Sequence, residues 1–186
     1  SQLPEATWIV LPSDMGVISD SGVSIVHQTL ENVDSLLLGP GWGTERPTAE
    51  FMNGILSSVN NPTTGGIGFT VESGGKPIAD LDPNQLPPTV IDADGLRLLV
   101  EVPEWYLRLP ALSVLTPHPG EMAFLTGLSI DDVQSDRIGV ASHFASEWGH
   151  IVVLKGAFTV VSTPDSNVTV HPFATSALAC AGTGDV

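Results

Sequence analysis

Trp148-Gly149-His150-Ile151-Val152-Val153-Leu154-Lys155-Gly156-Ala157-Phe158-Thr159 is the stretch that decides the fold. Its apolar core, Ile151 to Leu154, is a short β-rich run of the kind found in strands buried on both faces, and it ends in a glycine-containing loop. Immediately upstream, Ile130 to Trp148 reads as a helix. Val133, Val140, Ala141, Phe144 and Trp148 recur there at three- and four-residue steps to form one apolar face, and Ser129 with Asp132 resembles its N-cap. Further short runs at Trp8 to Leu11, Ser35 to Leu38, Thr89 to Ile91 and Ser113 to Leu115 alternate with amphipathic segments. This alternation predicts an α/β fold with a mainly parallel central sheet flanked by helices. Downstream, Phe158 to Thr163 and Asn167 to His171 flank the turn-forming Pro164-Asp165-Ser166, which predicts an antiparallel hairpin at the sheet edge. Between Asn60 and Pro88 the composition shifts to Gly, Pro, Asn and Thr, and we read an insertion over 60–88.

The chain of 186 residues suits one domain, since a chain of this size buries about 70% of its unfolded surface. Hydrophobic residues make up 42% and charged residues 15%, a balance that excludes wholesale disorder. Against 21 acidic residues stand 6 basic ones, so the field at net charge −15 repels nucleic acid and anionic membranes. A single cysteine, Cys180, permits no intrachain disulfide or multi-cysteine metal site and agrees with a cytoplasmic location. No apolar run reaches the roughly 18 residues of a membrane span.

Chemistry is expected in the loops at the carboxyl ends of the parallel strands. Ala181-Gly182-Thr183-Gly184-Asp185-Val186 can turn the successive N–H groups of Gly182, Thr183 and Gly184 toward one anion, with Asp185 placed to take a proton from an attacking hydroxyl. Standing alone, that motif is more often a structural turn than a catalytic site. Lys155, Gly156, Ala157, Phe158 and Thr159 follow the strand at Ile151 to Leu154 and suit nucleotide phosphates, although a strand-end lysine is often simply solvated. Thr116-Pro117-His118-Pro119-Gly120-Glu121 opens a helix. There His118 and Glu121 suit contacts with substrate and, through water, Mg²⁺, or else Glu121 completes a helix cap beside a loop histidine. Gly39-Pro40-Gly41-Trp42-Gly43 permits close approach of a substrate to the backbone, or else is a simple tight turn. In Ile91-Asp92-Ala93-Asp94, Asp92 is the candidate for orienting metal or substrate and Asp94 for a helix N-cap.

Taken in order, GPGWG, DADGL, TPHPGE, VLKGAFT and AGTGDV resemble the ADP-dependent NAD(P)H-hydrate dehydratases of the ribokinase-like superfamily. The resemblance implies that ADP or ATP, with Mg²⁺, phosphorylates the hydroxyl of hydrated NADH or NADPH, after which phosphate leaves and the dihydronicotinamide is restored. It implies that Gly41, His118 and Asp185 contact the hydrate with Asp185 as base, and that Lys155 to Thr159 and Gly184 bind the nucleotide. Glu121 matches the acidic residue near magnesium, and Asp92 has a weaker claim to the same region. By the same resemblance the chain is a partial domain, without the family's first βα units and ending before the helix after the nest. A homo-oligomer and an epimerase domain or protein as partner are further expectations. Two other readings stand beside this one: a vitamin or sugar kinase of the same superfamily, and a noncatalytic nucleotide-binding or assembly module.

Overall fold

The computed structural model describes residues 6–30, 33–57 and 86–173. A short hairpin, β1 (Ser13–Asp14) and β2 (Val17–Ile18), leads through a single 3₁₀ turn into α1 (Val23–Leu30). The main sheet then takes its strands in chain order: β3 (Leu36–Leu38), β4 (Thr89–Ile91), β5 (Val114–Leu115), β6 (Ile151–Leu154), β7 (Val160–Ser162) and β8 (Val168–Val170). From β3 to β6 the pairing is parallel; β7 and β8 join antiparallel. Helices α2 (Arg46–Ser57), α3 (Asp94–Leu99), α4 (Pro119–Thr126), α5 (Ile130–Ser135) and α6 (Arg137–Trp148) connect the parallel strands. The expected mainly parallel sheet and its edge hairpin are both present.

The core lies between this sheet and its helices. Leu38, Ile91, Leu115 and Leu154 come from four adjacent strands and are almost completely buried, as are Phe51 and Met52 of α2. Burying a side chain of this kind contributes about 1.5–3 kcal/mol, so this layer holds the strand ends in fixed register. None of the described helices is long and apolar enough to cross a membrane.

Two sequence readings need correction. Trp8 to Leu11 is not a strand: it has no ladder neighbour among the described residues, and Trp8 and Val10 are 73% and 90% exposed. β propensity alone does not make a strand. The helix expected over Ile130 to Trp148 is two helices. Asp136 leaves the helical region (φ −140°, ψ 64°), and its carboxylate accepts the Gly139 N–H at 2.8 Å, capping α6. The N-cap reading at Ser129 holds: Ser129 and Asp132 form a reciprocal capping box at the start of α5. Of the expected insertion over 60–88, only residues 86–88 are described; Leu86 packs in the core and the Pro88 carbonyl accepts the Leu36 N–H.

Candidate functional site

The carboxyl ends of three neighbouring strands meet in one cluster. Continuation of the parallel ladder past the strand ends sets its geometry: Asp92 N–H donates to Leu38 O at 3.1 Å, Thr116 N–H to Ile91 O at 3.1 Å and Lys155 N–H to Pro117 O at 2.8 Å. These bonds bring Asp92 after β4, the Thr116 to Glu121 segment after β5 and Lys155 after β6 side by side. Lys155 Nζ donates to Asp92 Oδ1 at 2.6 Å and lies 3.9 Å from Glu121 Oε2. One ammonium thus faces two carboxylates, both more than nine-tenths buried as residues. Burial pushes the Asp92 carboxyl up, yet the Lys155 hydrogen bond, the Thr116 hydroxyl, the Lys155 charge and the Ala93 N–H outweigh it and hold Asp92 below the ordinary carboxylate value.

Glu121 is fixed by the helix it begins. Its Oε2 accepts the His118 N–H at 2.8 Å, while His118 Nδ1 accepts the N–H groups of Gly120 and Glu121 at 3.0 and 3.2 Å. This is a capping box with histidine in the place usually taken by serine or threonine, and Pro119 fits the first helical position because it has no N–H to satisfy. Since Nδ1 accepts, the ring proton sits on Nε2, which points at Glu121 Oε1 from 3.3 Å. The capping reading of Glu121 is therefore realised, and His118, half exposed, is the cap itself.

The loop after β3 is drawn against the loop after β4. Gly39 has φ +115°, and a Cβ there would lie 2.1 Å from Asp92 O; one on Gly95 would lie 2.8 Å from Leu38 O. Glycine at 39 thus serves approach by the chain's own backbone. Gly41 also has positive φ (+74°), with open space around it. Asp94 is not an N-cap; Ala93 holds that position without a side-chain bond, and the Asp94 carboxylate accepts the Gly43 N–H at 2.9 Å across the two loops.

Beyond Lys155 the chain turns sharply. Gly156 has φ +140° and Phe158 φ +57°, while the Thr159 hydroxyl donates to Gly156 O at 3.0 Å. Gly156, Ala157 and Phe158 are exposed. Gly182, Thr183, Gly184 and Asp185 lie outside the described residues.

The sequence pattern that defines the NAD(P)H-hydrate dehydratase family matches residues 65–186, more than half of the chain. The chain belongs to this family. A bifunctional NAD(P)H-hydrate repair enzyme of Moorella thermoacetica is 32% identical over 171 residues, covering 92% of this chain and 27% of that protein. An ADP-dependent (S)-NAD(P)H-hydrate dehydratase of Neisseria meningitidis is 32% identical over 158 residues, 84% of this chain and 45% of that protein. The chain therefore spans less than half the length of either relative. Among solved structures, the ADP/ATP-dependent NAD(P)H-hydrate dehydratase of Bacillus subtilis, co-crystallised with ATP/Mg²⁺ and soaked with CoA, aligns with TM-score 0.61 at 24% identity, covering 99% of this chain and 53% of that one. A ribokinase-like superfamily protein of Enterococcus faecalis aligns with TM-score 0.59 at 18% identity, covering 91% and 49%. These likenesses establish the ribokinase-like fold.

For a member of the NAD(P)H-hydrate dehydratase family the donor set at Asp92 and Glu121 fits Mg²⁺. No group of three or more His, Cys, Asp or Glu able to cage a metal occurs among the described residues. Two hard carboxylate ligands at neighbouring strand ends suit an ion that keeps several waters and takes the rest of its shell from phosphate.

Two features escaped the sequence reading. The cross-loop bond from Gly43 to Asp94 joins residues too far apart for any local motif. Arg137 donates from Nη2 to Leu154 O at 3.0 Å and to Lys155 O at 3.2 Å, behind the turn that follows β6. A signal for Arg137 did exist, since it stands in register with Ala141, Ala145 and Trp148 on the buried face of α6. A cation on an apolar stripe of a chain with only 6 Lys and Arg calls for a partner.

Proposed function

We propose that this chain carries the phosphoryl-transfer site of an NAD(P)H-hydrate dehydratase, which uses ADP or ATP to restore NADH or NADPH from its hydrate. The observation that carries the reading is the convergence of Asp92, Glu121 and Lys155 at the ends of β4, β5 and β6, next to the exposed Gly156 to Phe158 turn. Family membership supports the substrate, and the names of the Moorella and Neisseria relatives support the reaction.

In this reading Lys155 and the N–H groups after it hold the nucleotide phosphates, and the Lys155 ammonium offsets charge on the transferring group. Gly41 and His118 line the hydrate's side of the site. Asp185 takes the proton of the hydrate hydroxyl as that oxygen bonds to the terminal phosphorus of ADP, and the bond to AMP breaks. The C–O bond then breaks to release inorganic phosphate, a neighbouring ring carbon loses a proton and the ring double bond returns. Asp92 and Glu121 would hold Mg²⁺, through water at Glu121; when bound, the ion supplies charge neutralisation on the phosphate oxygens. The anion nest is assigned to Gly182, Thr183 and Gly184. A homo-oligomeric state, an epimerase partner and a cytoplasmic location belong to the same proposal.

The test is product analysis after incubation with NADH hydrate, Mg²⁺ and ADP. NADH, AMP and inorganic phosphate in equal amounts are expected. A persistent phosphorylated product would replace this reading with a kinase, and ADP binding without turnover would replace it with a noncatalytic module.

A further inference from the structure

Arg137 begins α6, where a cation opposes the positive end of the helix dipole, a placement that costs about 0.3–1 kcal/mol. It sits there with its guanidinium turned to the end of β6. Nη2 bonds both Leu154 O and Lys155 O, Nη1 bonds Gln134 Oε1 at 3.1 Å, and Nε is buried without a partner among the described residues. In a regular strand successive carbonyls point to opposite sides; here two in a row point to one cation. Within a trans peptide the C=O and N–H are antiparallel, so the N–H groups of Lys155 and Gly156 both turn to the face away from Arg137. The first of these reaches Pro117 O, on the side of the Asp92 and Glu121 cluster. The second, on exposed Gly156, has no partner among the described residues. The Lys155 N–H is thus spent on Pro117 O and the Gly156 N–H is left to donate to an anion, while Arg137 braces the peptide behind it.

We propose that Arg137 is a positioning residue for nucleotide phosphate binding: by holding the carbonyls of Leu154 and Lys155 it aims the Gly156 N–H and the Lys155 side chain at the phosphate. The function rests on the dehydratase reading above, whereas the bracing of the loop does not. Fit behind the loop is close, since a Cβ on Gly156 would lie 3.1 Å from Arg137 Nη1. Arg137 also borders an open groove of about 280 Å³ with Ile138, Ala157, Phe158, Val160 and Val170, so a small cation can reach its place from solvent.

The experiment compares wild type with Arg137→Ala and Arg137→Lys. In the ligand-free proteins, hydrogen exchange of the peptide covering Lys155 to Thr159 is expected to speed up about tenfold or more in Arg137→Ala, with the β4 and β5 peptides unchanged. With substrates, KM for ADP is expected to rise about 10- to 100-fold while KM for the hydrate stays within a factor of about two. Guanidinium at about 50 mM, far below denaturing levels, is expected to restore part of the ADP affinity in Arg137→Ala and none in wild type. Arg137→Lys, which lacks the planar fork, is expected to fall between the two. Unchanged exchange in the 155–159 peptide overturns the bracing role. Equal rises in both KM values, or no guanidinium rescue, overturn the phosphate-positioning role and leave Arg137 as a fold residue. If wild type itself fails to bind ADP while exchange responds as expected, the dehydratase reading fails and the bracing stands.

Discussion

Replacing Lys155 by Met is the perturbation with the best-defined consequence. Met keeps the unbranched apolar stem of lysine and removes the ammonium, leaving Asp92 Oδ1 without its 2.6 Å partner and Glu121 without the nearest cation. The Lys155 side chain is 31% exposed and that of Asp92 13%, so the pair lies between the surface case, worth about 0–1 kcal/mol, and the buried case, where removing one partner costs about 3–5 kcal/mol. Discounting for partial exposure of the lysine gives about 2 kcal/mol, or a fall in Tm of about 4–8 °C for a domain of this size. The pH dependence follows from Asp92, whose carboxyl is held below the ordinary value in the folded state. A depressed carboxylate contributes stability that is present above the unfolded value and is lost as pH falls through the folded value. Urea unfolding of wild type and Lys155→Met, followed by tryptophan fluorescence, should therefore show the full difference at pH 7 and its progressive loss below about pH 4. In Lys155→Met with Asp92→Asn the loss should be smaller than in Lys155→Met alone. A stability difference that is absent at pH 7, or independent of pH down to 3, would refute the reasoning.

Further outcomes follow from single contacts. Glu121→Gln keeps an acceptor for the His118 N–H and should stay within about 1 kcal/mol of wild-type stability, while Mg²⁺-dependent turnover falls about tenfold or more; calorimetric Tm and rates across a Mg²⁺ series check it. His118→Asn retains an N-cap and should preserve Tm while raising KM for the hydrate, whereas His118→Ala should also lose about 1 kcal/mol of stability. Gly39→Ala places a Cβ on Asp92 O at positive φ and should destabilise by about 3 kcal/mol or more, measured by urea unfolding. His150, buried with Nε2 2.8 Å from Tyr106 O, is lowered by desolvation in spite of that bond. Its unfolded form binds a proton first, so stability should decline as pH falls below about 6.5, and less so in His150→Gln.

What was legible in the sequence was what is encoded locally. Strands β4 and β6 fall where their apolar runs place them, because a run of that length between turn residues has few other uses in a parallel sheet. Trp8 to Leu11 has the same composition and fails, since a strand needs a neighbour that composition cannot reveal. The break at Asp136 was hidden because the apolar periodicity runs through it, with Val133 on one side and Ala141 on the other both buried. At the site, Asp92, His118, Glu121 and Lys155 could each be singled out at a strand end, yet the ion pair that joins Asp92 to Lys155 spans 63 positions and exists only once the sheet order is fixed. Arg137 shows the converse. Its role depends on two backbone carbonyls, which no side-chain motif records.

Recovery of absorbance at 340 nm from NADH hydrate tests most directly the proposed nucleotide-driven dehydration with Asp185 as base. Recovery is expected only with Mg²⁺ and ADP or ATP, with a loss of about two orders of magnitude or more in rate in Asp185→Asn, the scale expected for removing a general base. Recovery without nucleotide, or undiminished in Asp185→Asn, would contradict it.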